Sequence, residues 1–107
     1  MLPKKNRVNT KQVDEIFKKG RFVNSSNLTF KFILTNTNTT QISFIAPKSI
    51  AKLAVKRNLL RRRGYSALKK YIKQFPSGFM GVFIFKKPIN SVLEIENEIK
   101  TVLNKIN

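Results

Sequence analysis

The chain has 107 residues, of which 22 are Lys or Arg and five are Asp or Glu, so its formal net charge is +17. It contains no Cys and no His, which excludes disulfides, a thiolate nucleophile, the usual general base and the commonest metal ligand. Hydrophobic residues make up 41% of the chain and include nine Phe, so a single folded domain over residues 1–107 is expected. Self-repulsion at this charge disfavours a compact state, so we expect a polyanionic partner, nucleic acid first and an anionic membrane second.

The N-terminal residues, MLPKKNRVNT, are basic, but no apolar run follows them. A secretory signal peptide is therefore not expected. No apolar stretch reaches the length needed to cross a bilayer. We predict a cytoplasmic protein without a membrane partner.

A short helix is predicted over TKQVDEIFKKG, where Val13, Ile16 and Phe17 recur at helical spacing. Either Asn9 or Thr10 is suited to cap its start, and the glycine at position 20 is suited to end it. Three strands are then predicted at RFVNS, LTFKFIL and QISFIA, because these runs are rich in β-branched and aromatic residues. We expect the second and third strands to pair as a hairpin through the polar run TNTNTT.

The middle strand, LTFKFIL, has two different faces. Leu28, Phe30 and Phe32 share one face because side chains alternate along a strand. The other face carries Lys31 between a Thr and an Ile. One face is apolar, and the other presents a cation.

A long helix is predicted over residues 54–71, ending before the FPSG break at residues 75–78. At helical spacing, one side carries Leu60, Gly64, Ala67, Leu68 and Tyr71, and this side is expected to pack on the sheet. Glycine costs about 1 kcal/mol in a helix interior relative to Ala. Its position on the packing face predicts a close approach to a strand.

The rest of this helix is strongly basic, and residues 48–89 include no acid. A surface that only provides solubility usually mixes both signs of charge, so phosphate binding is the favoured interpretation. Arg suits phosphate because its guanidinium group donates paired hydrogen bonds and its charge releases counterions. The candidate RNA-binding residues in this region are Lys48, Lys52, Lys56, Arg57, Asn58, Arg61, Arg62 and Arg63.

The C-terminal part predicts a buried strand at MGVFIFKKP and a final helix at SVLEIENEIKTVLNKIN. Ser91 and Glu94 have capping-box spacing at the start of that helix. The complete order is αβββαβα. We therefore predict an α+β sandwich with one four-stranded sheet and helices packed on it.

The order of these segments resembles the bacterial ribonuclease P protein subunit. The resemblance extends over nearly the whole chain and is carried by KKNRV, IFKKG, LTFKFIL, ISFIAPK, AVKRNLLRRR and GVFIFKKP. It implies a fold shared with one domain of a small-subunit ribosomal protein. It also implies a protein without catalytic groups or a cofactor of its own, one copy binding each catalytic RNA. In that family the RNA, with bound Mg²⁺, removes the 5′ leader of precursor tRNA, and no small-molecule substrate is involved.

The resemblance also implies roles for individual residues. The basic motif that faces the catalytic RNA matches Lys52, Arg57, Asn58 and the run 61–63. The family usually has basic residues where Leu59 and Tyr65 stand. A cleft between the sheet and the basic helix holds the single-stranded leader in the family, and Phe17 matches an aromatic position there. The companions implied in this chain are Lys31 and an aromatic of the sheet, Phe30 or Phe32.

Several alternatives remain at this point. Phe17 and Phe30 could be ordinary core residues. The chain could be a small basic ribosomal protein or another structured-RNA-binding protein, since length and charge suit both. A DNA-binding helix-turn-helix protein is disfavoured because strands precede the basic helix. A nuclease acting without RNA would depend on carboxylates in two separate groups, Asp14 with Glu15 and the acids between Glu94 and Glu98.

Overall fold

A computed structural model describes residues 7–106 and confirms the α+β order of elements. The first three residues of the KKNRV segment, at positions 4–6, lie outside this range. In chain order, the elements are α1 (Thr10–Lys19), β1 (Arg21–Asn24), β2 (Leu28–Leu34), β3 (Gln41–Ile45), α2 (Ala54–Leu68), a short 3-10 helix (Ile72–Gln74), β4 (Phe79–Phe85) and α3 (Val92–Ile106).

The four strands form one sheet in the order β1-β2-β4-β3. β2 is antiparallel to both β1 and β4, and β3 is parallel to β4. The predicted hairpin between β2 and β3 is therefore wrong, because β4 lies between them. β4 is buried on both faces along most of its length, so it takes a central position. The TNTNTT run instead contacts the residue before β4. The backbone N–H of Thr35 donates to the carbonyl of Gly78 (2.8 Å).

The two faces of the sheet are covered by different helices. One face carries a stack of aromatic rings, in which the centroid of Phe83 lies 4.5 Å from that of Phe30 and 5.1 Å from that of Phe44. α2 and α3 pack on this face and complete the main core. The other face has a smaller core in which Ile16 of α1 contacts Met80 and Val82.

The start of α1 and the packing side of α2 match the sequence prediction closely. Asn9 caps α1, and its side chain accepts a hydrogen bond from the backbone of Gln12 (2.9 Å). α2 ends at Leu68, three residues before the predicted end at Tyr71. Tyr71 still packs, half-buried, against the main core from the turn that follows.

The close approach predicted at Gly64 is confirmed, and the neighbour is Phe44 on β3. A Cβ atom at position 64 would lie 2.5 Å from the Cδ2 atom of Phe44. Because Phe44 is stacked on Phe83, its ring has no free space to move into. We expect Gly64→Ala to lower the free energy of unfolding by about 1–3 kcal/mol, although Ala is the better helix former.

Urea unfolding at fixed salt concentration measures this effect. Ser66→Ala is the matched control, because Ser66 lies on the exposed side of the same helix. The control should leave the unfolding midpoint unchanged or raise it slightly. A Gly64→Ala protein as stable as the control would contradict the packing argument.

Two of the five carboxylates have structural roles on α3. Glu98 accepts hydrogen bonds from the hydroxyl of Ser25 (2.5 Å) and the backbone N–H of Asn27 (2.7 Å), which fixes the turn between β1 and β2. Glu96 is buried and pairs with Lys70 of the segment after α2 (3.3 Å). These contacts account for both acids without any catalytic function.

Candidate nucleic-acid interface

On the face of the sheet that packs against α1, the side chains are exposed toward β1, where Phe22 is 63% exposed, and buried toward β3, where Ser43 is 8% exposed. We call the exposed part of this face, on β1 and β2, the open strip. Strand register places Phe22 of β1 opposite Lys31 of β2, Lys31 opposite Val82 of β4, and Val82 opposite Ser43 of β3. Directly paired residues point to the same side of a sheet. These four side chains therefore form a row across the face that α1 occupies.

Phe17 and Lys31 lie together at the flank of α1. The Nζ atom of Lys31 is 4.9 Å from the centroid of the Phe17 ring, within the range of a cation–π interaction. The Phe17 side chain is 44% exposed, so its ring is not an ordinary core ring. Two of the three predicted leader-binding residues are thus adjacent and accessible.

The third predicted residue, Phe30, is in the wrong place for this role. It is fully buried in the main core and stacks on Phe32 and Phe83. Because side chains alternate along β2, Phe30 and Phe32 point away from Lys31, toward α2 and α3. Neither ring can reach a ligand on the open strip. The candidate cleft therefore lies between α1 and the sheet, on the face opposite the one that packs against the basic helix.

Sequence analysis missed Phe22, whose side chain is 63% exposed. It stands directly opposite Lys31, so the cation has an aromatic ring beside it on β1 and a second ring, Phe17, on α1. The sequence signal for Phe22 is the alternation in RFVNS, which places Phe22 and Val23 on opposite faces of the strand. In the structure, Phe22 is exposed and Val23 is half-buried. That signal has meaning only once the pairing of β1 with β2 is known. We call Phe17, Phe22 and Lys31 the aromatic platform.

The predicted basic residues lie on α2 and on the loop before it. Lys56, Arg61 and Arg62 are exposed on the helix, and Lys48 and Lys52 are exposed in the loop. α2 has no acid in its first turn and no side chain that caps its N-terminus. The positive end of the helix dipole therefore adds to the positive side chains. We call Lys52, Lys56, Asn58, Arg61 and Arg62 the basic surface.

Arg57 makes structural contacts within the chain. Its Nη1 atom donates to the backbone carbonyls of Ala51 (3.0 Å) and Lys52 (2.7 Å). Arg57 thus fixes the loop that carries Lys52 and is a positioning residue. Arg63 is also partly engaged, since its Nη1 atom donates to the carbonyl of Ile89 (3.2 Å).

A pocket of about 260 Å³ opens between α2 and the chain segment before α1, and two Arg side chains of α2 and one from that segment surround it. Its lining residues are Arg7, Asn58, Arg61, Arg62 and Tyr65. The side chain of Arg61 contacts the Oδ1 atom of Asn58. Three guanidinium groups and an amide are the donors expected around a phosphate. Sequence analysis did not select Arg7, although it belongs to the KKNRV segment.

The segment that carries Arg7 lies between the basic surface and β3. The backbone N–H of Val8 donates to the hydroxyl of Ser43 (2.7 Å), which ties this segment to β3. A second pocket, about 280 Å³ in volume, is lined by Arg7, Val8, Asn9, Ser43 and Tyr65. Arg7 and Tyr65 line both pockets. The Arg-rich pocket therefore lies next to the edge of the sheet formed by β3, and Ser43 at that edge shares its sheet face with Lys31.

Comparison with known proteins decides the family. The family model described as Ribonuclease P matches residues 2–107. The chain belongs to the ribonuclease P protein family. Membership implies participation in the endoribonuclease that processes tRNA, with ribonuclease P RNA as the partner. No curated protein matches the sequence.

Solved ribonuclease P proteins share this fold. The protein from Staphylococcus aureus is 20% identical, with 95% of each chain covered and a TM-score of 0.79. The protein from Thermotoga maritima is 18% identical, with 94% of this chain and 97% of that chain covered and a TM-score of 0.81. These likenesses confirm the predicted fold class.

The structure explains one of the two positions where this chain departs from the usual ribonuclease P pattern. Tyr65 is buried, its ring packs edge-on against Phe44, and its hydroxyl accepts a hydrogen bond from the backbone N–H of Phe44 (3.2 Å). Tyr65 therefore fixes α2 to β3. Leu59, by contrast, is 40% exposed on the outer side of α2.

Two further findings concern the described part of this ribonuclease P family member. Within residues 7–106, every helix is too short or too polar to cross a bilayer. The carboxylates of that same range do not gather in threes, as ligands of a metal ion would.

Proposed function

We propose that the chain is the protein subunit of the ribonuclease P ribonucleoprotein. It binds the catalytic RNA through the basic surface and the 5′ leader of precursor tRNA through the aromatic platform. The observation that carries this proposal is that the Arg-rich pocket and the pocket beside Ser43 share Arg7 and Tyr65, while Ser43 lies on the same sheet face as Lys31 of the platform. An RNA that extends from the Arg-rich pocket across the width of the sheet contacts both surfaces.

The basic surface suits a folded RNA because its donors match phosphates. Arg61 and Arg62 are exposed, and together with Arg7 they line one pocket. Each phosphate that a cation neutralises releases counterions, which favours binding at moderate salt. Asn58 adds a donor and an acceptor for a sugar or base edge.

The aromatic platform suits a leader of variable sequence. Every nucleobase has a π-face that can stack on Phe17 or Phe22, and such stacking is worth about 1–3 kcal/mol per base. Lys31 lies between the two rings and can pair with a leader phosphate. Recognition of this kind needs no particular base.

The chemistry of cleavage is assigned to the RNA. The chain has no His and no Cys, and Glu96 and Glu98 are held by structural contacts. Mg²⁺ is expected to bind to the RNA subunit, and the protein improves substrate binding. One copy of the chain per catalytic RNA, acting in the cytoplasm, completes the proposal.

Reconstitution tests this function. Adding the purified protein to ribonuclease P RNA at low Mg²⁺ and moderate salt should raise the rate of precursor tRNA cleavage several-fold or more, because the protein adds binding energy for the leader. The Arg61→Ala/Arg62→Ala variant at the same concentration is the matched control and should restore much less activity. A small basic ribosomal protein would add no activity. Cleavage that the wild-type protein leaves unchanged would reject the proposal.

A further inference from the structure

An apolar pocket lies on the other side of α2, away from Arg7, and the proposed function leaves it without a role. Its volume is about 300 Å³. Its apolar wall includes Ile50 of the loop before α2, Leu59 and Leu60 of the helix, and Pro88 of the loop after β4. Leu59 is 40% exposed, so part of this apolar wall is accessible to water.

The rim of this pocket is polar and positive. Lys56 and Arg63 of α2 flank it, and Asn90 adds an amide with both a donor and an acceptor. Arg63 also donates to the carbonyl of Ile89 (3.2 Å), which holds the loop after β4 against α2. This contact holds the Pro88 side of the pocket next to α2.

We propose that this pocket receives one unstacked nucleobase of the RNA that binds the basic surface. The inference rests on the proposed function, and it adds a base-binding site to a surface that otherwise contacts phosphates. An apolar slot suits the faces of a planar base, and Asn90 is placed to hydrogen-bond with its polar edge. Lys56 and Arg63 carry the charge that complements the phosphates on either side of the base.

The chemistry of the rim favours RNA over a protein as the occupant. A protein helix would need acidic residues to match Lys56 and Arg63, as well as apolar residues for the wall. RNA carries both parts in each nucleotide, an anionic phosphate and an apolar ring face. The pocket also lies on the helix that carries Arg61 and Arg62, so RNA bound to those residues is already close to it.

Binding to ribonuclease P RNA over a range of salt concentrations tests this site. Leu59→Ala should raise the Kd about tenfold, the order expected when one buried base contact is lost. The slope of log Kd against log salt should stay unchanged, because no cation is removed. Leu59→Gln, of similar size but polar, should show the same loss if the Ala variant proves unstable.

Val55→Ala is the matched control. Val55 lies one turn before Leu59, is 69% exposed, and does not line the pocket. This variant should stay within about twofold of the wild-type Kd. Chemical probing with dimethyl sulfate, which modifies A, C and G, and with a carbodiimide, which modifies U and G, should show one base that the wild-type protein and Val55→Ala protect and that Leu59→Ala leaves reactive.

The outcomes separate this inference from the proposed function. If the wild-type protein does not bind ribonuclease P RNA, both are wrong. If the wild-type protein binds, and both Leu59 variants bind as tightly with the same base protections, only the base pocket is rejected. The apolar patch then belongs to a protein partner. A loss of affinity with an altered salt slope also rejects the base pocket, because it shows displaced cations.

Discussion

Replacing Arg61 and Arg62 together by Ala is expected to weaken binding of ribonuclease P RNA about a hundredfold at moderate salt. Both side chains are exposed and line the pocket that they share with Arg7. Each lost hydrogen bond to a charged group is worth about 1.5–3 kcal/mol, and each 1.4 kcal/mol is a factor of ten. The slope of log Kd against log salt should fall by about one unit for each phosphate contact removed.

Arg57 is unsuitable for this test, because it donates to two backbone carbonyls of the loop before α2. The charge-matched control replaces Lys73 and Lys11, which are exposed in the 3-10 helix and in α1. This control removes the same charge but neither guanidinium of the pocket. If both double variants lose affinity equally and with the same slope, only the net charge of the chain matters and the basic surface is not a specific site.

Replacing Phe17 and Phe22 together by Ala is expected to weaken binding of leader-bearing precursor tRNA to the reconstituted enzyme about tenfold to a hundredfold. The physical reason is the loss of stacking, at about 1–3 kcal/mol per base. Mature tRNA, which has no leader, should bind as before. Lys31→Ala should also weaken binding of precursor tRNA more than binding of mature tRNA. The loss of affinity should be smaller, because this variant removes one cation and keeps both rings.

Leu34→Ala is the control for the aromatic platform. Leu34 is 64% exposed at the end of β2, on the strand that carries Lys31 but with its side chain on the opposite face. Leu34→Ala should leave the affinities for precursor tRNA and for mature tRNA unchanged. A set of precursors with progressively shorter leaders adds a second check, since the effect of the double variant should disappear once the leader no longer reaches the rings. Equal losses for precursor and mature tRNA would remove these residues from the leader site.

Local patterns correctly predicted the elements, and they also selected the candidate residues of the basic surface on α2. The capping residue before α1, the packing side of α2 and the close approach at Gly64 depend on neighbours along one helix or on a single packing face. The basic residues of α2 were recognisable because charge density is a property of the sequence itself. The exception is Arg57, whose hydrogen bonds depend on how the preceding loop folds back.

The two main errors have different origins, long-range strand pairing for one and the family resemblance for the other. TNTNTT looks like a hairpin loop when only β2 and β3 are considered. The sheet instead places β4 between them, because a strand buried on both faces gains most in the centre. Phe30 was named for the leader cleft from the family resemblance, although alternation along β2 already placed it on the face opposite Lys31, and the structure buries it in the main core.

By itself, the sequence determined the element order, the need for a polyanionic partner, the absence of His and Cys chemistry, and the helix that carries the cations. Each of these follows from composition or from periodicity within one segment. Only the tertiary structure decided that Phe22 stands beside Lys31, that Arg7 joins Arg61 and Arg62, and that Leu59 borders an apolar pocket. These contacts join residues from different elements, so they depend on strand register and helix packing, which no single segment specifies.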